Sequence, residues 1–147
     1  MLRRSRVATV AMLCSGMLLA GCTSTPPRDA EEPAAEVIDA HTCVAFGDVL
    51  TILFNADIAY RDGRIDQQEH EGWDALATRV LDRVPTRAEG AVSDAVAALK
   101  HAAPAIHAGA SAPTGIDSVA WNEAYVQLSE ACTQAGAELA VVAFTGG

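Results

Sequence analysis

The chain has 147 residues, half of them hydrophobic and a fifth charged, with ten basic residues against nineteen acidic ones and a formal net charge of −9. A chain of that length holds one domain with a core of modest size. Its acidity excludes nucleic acid and anionic lipid head groups as partners held by charge.

The first twenty-two residues divide into three parts. Met1 to Arg6 carries Arg3, Arg4 and Arg6; Val7 to Ala20 is an apolar run of fourteen residues; Leu19-Ala20-Gly21-Cys22 closes it. This is the anatomy of a signal peptide, and the run is shorter than the roughly 20 residues that cross a bilayer. Leu19-Ala20-Gly21-Cys22 resembles the lipobox of bacterial lipoproteins. In that family the chain is cut just before a cysteine whose thiol carries a diacylglycerol, so the resemblance implies a mature chain that begins at Cys22. It further implies export, and attachment by acyl chains such as palmitate to the extracytoplasmic face of the cell membrane. Loss of the three arginines would leave seven basic residues against nineteen acidic, a formal charge of −12. The membrane would then be held through the lipid alone.

On this reading residues 1–21 are the signal, 22–36 a flexible acidic tether and 37–147 the folded domain. Thr23 to Glu36, TSTPPRDAEEPAAE, has no apolar residue larger than alanine or proline, the composition of a linker.

Four helices are expected beyond the tether. From about Ala34 to Arg61, the apolar residues Val37, Cys43, Phe46, Leu50, Leu53, Phe54 and Ile58 recur at helical spacing, and Asp62-Gly63 reads as the stop. Asp66-Gln67-Gln68-Glu69 opens a second helix with an acidic cap; Trp73, Leu76, Ala77, Val80, Leu81 and Val84 share a face up to Pro85. Thr86-Arg87-Ala88-Glu89 reads as a capping box for a third helix, which Pro104 should break near His101. Ala108 to Gly115 is a loop. The last helix is expected to start near Asp117 or Ser118, with Trp121, Tyr125, Leu128, Cys132, Ala135, Leu139 and Val142 as its seam, and to fray before Gly146.

Short connections between four helices predict an all-α fold, an antiparallel four-helix bundle. Cys43 and Cys132 are the cysteines left in the domain. In an exported protein they are expected to form a disulfide. Facing positions on antiparallel first and last helices sum to a near constant, and Cys43 with Cys132 sets it at 175. The same sum pairs Leu50 with Tyr125 and Phe54 with Trp121.

Candidate chemistry is sparse. Asp62-Gly63-Arg64-Ile65-Asp66-Gln67-Gln68-Glu69 resembles the second half of an EF-hand calcium loop, with Asp62, Asp66 and Glu69 as its ligands. The first and third loop positions fall on Ile58 and Tyr60, which lack the required oxygens, and a glycine turn followed by a capped helix accounts for the same residues. His41, His70, His101 and His107 show no pairing at helical spacing, so no metal site and no cofactor is expected. Neither a Gly-x-Ser-x-Gly nor a Cys-x-x-Cys motif occurs.

Phe54, Trp73, Trp121 and Tyr125 are candidates to line a pocket for an apolar ligand between the helices. The leading expectation is a non-catalytic interaction or accessory module that meets an envelope protein at the membrane surface. A carrier of a small apolar ligand comes second and an enzyme third.

Overall fold

A computed structural model of the chain describes residues 35–144 apart from Ala88. The signal segment, Cys22 and the tether as far as residue 34 lie outside the described residues. Four helices form, with no strand among the described residues: α1 (Ala35–Arg61), α2 (Gln67–Arg83), α3 (Ala91–Ala102) and α4 (Val119–Gln134).

The helix ends show why the chain folds in these segments. At the end of α1, Gly63 takes a left-handed conformation, φ 68°, that a side chain would oppose. The amides of Gly63 and Arg64 then donate to the carbonyls of Tyr60 and Ala59, closing the last turn. Asp66 caps α2, its side chain accepting from Glu69 N at 2.8 Å. Lys100 closes the other end of α2 by donating to the carbonyls of Asp82 and Val84. Ser118 caps α4 by accepting from Trp121 N.

Two expected termini differ. The capping box at Thr86-Arg87-Ala88-Glu89 does not cap α3, which starts at Ala91 behind Gly90 without a side-chain cap. Arg87 instead forms a two-pronged ion pair with Asp39 of α1, Nε to Oδ1 at 2.8 Å and Nη2 to Oδ2 at 3.0 Å. A long-range charge pair has taken a residue that local sequence assigned to a helix start.

The last helix also stops early. Gly136, at φ 72°, terminates α4; its amide donates to Thr133 O and that of Ala137 to Cys132 O. Leu139 and Val142, expected on a helical seam, belong instead to a non-helical strap over residues 137–144.

The core joins all four helices. Phe46, Val49, Leu81, Val96, Leu99 and Leu128 are fully buried, and the disulfide Cys43–Cys132 lies among them. The expected pairing of α1 with α4 holds at the disulfide and fails further along. Trp121 stacks near Phe46, with ring centroids 6.4 Å apart, whereas Phe54 is 44% exposed. α1 packs chiefly on α2 and α4 chiefly on α3, so α1 and α4 do not run together far enough to make a ladder.

Within α1 an 18-residue window has a mean hydropathy of 1.6, and by length and composition this helix near the N-terminus is compatible with a signal or anchor segment. In the fold it is the helix that carries Cys43, Asp39 and Phe46 into the core.

Candidate functional site

Gly47, Thr51 and Asn55 are four residues apart and form a stripe along α1. The strap lies on it. A Cβ on Gly47 would sit 2.8 Å from Ala140 O. Thr51 Oγ1 accepts from Val142 N at 3.1 Å. Asn55 Nδ2 donates to Val142 O at 2.7 Å and Asn55 Oδ1 accepts from Phe144 N at 2.6 Å. One side-chain amide thus satisfies two backbone groups of an extended segment, as a neighbouring strand would.

The spacing is commensurate. Four helical residues advance about 6 Å along the axis and two extended residues advance about 6.6 Å, so residues 140, 142 and 144 keep step with 47, 51 and 55. The strap therefore runs in the same direction as α1.

Where the strap reaches Phe144, a groove of about 250 Å³ opens between α1, the start of α2 and the strap. Ile52, Ala56, Ala59, Ile65, Trp73 and Phe144 give it an apolar lining, with Glu69 its sole charged lining residue. Trp73 is 40% and Phe144 63% exposed, so two large rings stand at its edge in water. Its lining is apolar and side chains have not filled it.

Beside the groove, His70 joins the two helices of the first hairpin. Its Nε2 is 2.8 Å from Asp57 Oδ1 and its Nδ1 3.8 Å from Asp74 Oδ2; its ring lies 4.8 Å from that of Tyr60. Burial raises the pKa of Asp74 above its ordinary value; His70 opposes that shift, while Asp57, Asp117 and Glu71 add to it. The arrangement ties α1 to α2 through a ring held between carboxylates. Pairing at the spacing of a single helix does not reveal it, because Asp57 and His70 lie on different helices. A usable signal was present: positions 57 and 70 are nearly symmetric about the Gly63 turn, as facing residues of a helical hairpin must be.

The other expected site residues are placed as follows. Cys43 and Cys132 are bonded, with Cα atoms 5.8 Å apart. Cys22 lies outside the described residues. Of the four aromatic residues assigned to a ligand pocket, Trp73 alone lines the groove; Trp121 and Tyr125 pack around Phe46 and Phe54 faces out. The four do not converge because Phe46 fills the space between α1 and α4. Of the calcium-loop residues, Asp62 meets Arg64, Asp66 caps α2 and Glu69 lines the groove. Among the described residues no group of three or more histidine, cysteine or acidic side chains is arranged to hold a metal ion.

No protein-family model matches the chain, and neither the curated proteins nor the solved structures contain a match to it.

Proposed function

We propose that the protein is an exported lipoprotein, anchored through Cys22 at the extracytoplasmic face of the membrane, whose helical domain is a non-catalytic interaction module. The observation that carries the docking role is the groove between α1, α2 and the strap. Exposed apolar concavities rimmed by aromatic rings are what protein partners fill. The expected occupant is an apolar segment of an envelope protein flanked by a basic residue, since Glu69 is the groove's sole charged lining residue and the mature chain is strongly acidic.

The anchoring supports the same role. A lipid on Cys22 followed by a polar tether of about a dozen residues before α1 keeps the domain near the bilayer while leaving it free to search for a membrane-bound partner. Attachment of this kind raises the effective concentration of the two proteins without any new contact.

The test is crosslinking and co-purification of the anchored protein from its own membrane. Trp73→Ala with Phe144→Ala should abolish the captured partner while the protein stays on the membrane, and Cys22→Ala should release it into the soluble fraction. An unchanged set of captured proteins in the groove variant would refute the docking role; membrane retention of Cys22→Ala would refute the anchor.

A further inference from the structure

The strap has two edges, and α1 uses one of them. Val142 turns both its N–H and its C=O toward α1, to Thr51 and Asn55, and Phe144 turns its N–H the same way, to Asn55. In extended chain, successive residues direct these groups to opposite sides. Val141 and Ala143 therefore point theirs away from α1. Both residues are exposed, so this outer edge meets water.

The sequence of the strap leaves that edge unguarded. Leu139 to Phe144 reads LAVVAF, without a charge, a proline or a glycine. Open edges of extended chain are ordinarily protected by lysine, proline or a bulge, because bare N–H and C=O groups invite another chain. Glu138, the nearest charge in sequence, precedes the part that lies on Gly47, Thr51 and Asn55. Valine and phenylalanine favour extended conformation, so the strap keeps the form of a strand with one side vacant.

The edge and the groove meet at Phe144, which lines the groove together with Ile65, Glu69 and Trp73. A chain laid along the outer edge puts every second side chain on the face that Phe144 occupies. Those side chains reach the apolar mouth of the groove, and a basic one among them is drawn to Glu69.

We infer that the partner presents an extended segment, which pairs its backbone with Val141 and Ala143 and sets alternate apolar side chains against Phe144 and Trp73. This pairing rests on the docking role proposed for the groove and specifies the conformation of its occupant. Backbone pairing supplies affinity and the groove supplies selectivity, as in other cases where a peptide extends an exposed strand edge. A second copy of this chain could offer the same edge, but each copy has a formal charge of −9. Like charge opposes that pairing and favours a segment flanked by basic residues.

The test uses the full-length chain in neutral detergent and, as probe, a short peptide of alternating valine and threonine with a lysine at each end. Two isomers of the peptide carry N-methyl groups, one on the valine amides and the other on the threonine amides. Each isomer loses the N–H groups of one edge and keeps every side chain. The unmodified peptide should shift the amide resonances of Val141 and Ala143 and the indole resonance of Trp73 in a saturable way. One isomer should bind equally well and the other about tenfold more weakly. Ala143→Pro removes an outward N–H and should weaken the peptide by a similar factor, while the Val142 and Phe144 amides keep their protection in hydrogen exchange. Equal binding by both isomers, with Trp73 shifted, would overturn the strand pairing and leave the groove a docking site. No saturable shift with the unmodified peptide at millimolar concentration would overturn the pairing too, while co-purification with the groove variant judges the docking role separately. Protection of the Val141 and Ala143 amides before any peptide is added would place a second copy on the edge and overturn the assignment of the partner.

Discussion

The two halves of α1 have opposite characters although both are apolar. The part up to Val49 carries Asp39, Thr42, Cys43, Phe46, Gly47 and Val49, all buried; the part beyond it contributes Ala56 alone to the buried set. In the first half, partners arrive from far along the chain: Arg87 to Asp39, Pro85 O to Thr42 Oγ1, Cys132 to Cys43. In the second half the cover is α2 and the strap, and Phe54 and Tyr60 remain nearly half exposed. Hydrophobicity of equal degree thus serves folding where four helices meet and forms an open surface where two helices and a strap meet.

The comparison is broken most strongly at the disulfide. Cys43→Ser with Cys132→Ser opens a loop closed across 89 residues of sequence. It should cost about 4 to 5 kcal/mol on the chain-entropy account, read as a fall in the urea midpoint. Next come the two phenylalanines. Phe46→Ala, in the fully buried half, should cost about 3 to 5 kcal/mol. Phe54→Ala should stay within about 1 kcal/mol, and equal losses at the two sites would erase the distinction.

Gly47→Ala tests the strap. Alanine favours the helix by roughly 1 kcal/mol over glycine, but its Cβ would meet Ala140 O at 2.8 Å. Global stability should change little while the amides of Val142 and Phe144 lose protection in hydrogen exchange. Retained protection there would show that the strap does not depend on the close approach at Gly47.

The smallest effect is at Asp74. Its folded-state pKa is raised above the ordinary 3.8, chiefly by burial. The folded protein therefore holds this proton more tightly than the unfolded chain. The resulting stability is present below the ordinary value and lost as pH rises through the raised one. Asp74→Asn, which is neutral throughout, should be slightly more stable than the parent at neutral pH. The gain should vanish in acid near pH 3, as paired urea titrations at the two pH values would show.

Much of the scaffold was legible before the structure. The stop of α1 and the start of α2 follow from local chemistry at Gly63 and Asp66, and the break after α3 from Pro104, because turns and caps involve residues a few positions apart. Cys43 and Cys132 could be paired because both lie on helical seams and few cysteines remained. The groove between α1, α2 and the strap was not legible. A glycine inside an otherwise strong helix was a signal of close backbone approach, yet nothing in local sequence says that residues 140–144 are what approaches it.

Leu139 and Val142 show the limit clearly. Their spacing continues the heptad pattern of α4, and periodicity alone keeps them helical. Gly136 ends that helix with local hydrogen bonds, and the stripe of Gly47, Thr51 and Asn55 then holds the following backbone in extended form. By itself the sequence determined the lipobox-like motif Leu19-Ala20-Gly21-Cys22, the acidity, the four helices and the candidate cysteine pair, since each is written in neighbouring residues or in composition. Only the tertiary structure decided that Phe46 rather than Phe54 meets Trp121, that Arg87 clasps Asp39, and that a strap on α1 completes a groove. Those outcomes depend on which distant surfaces compete for the same space.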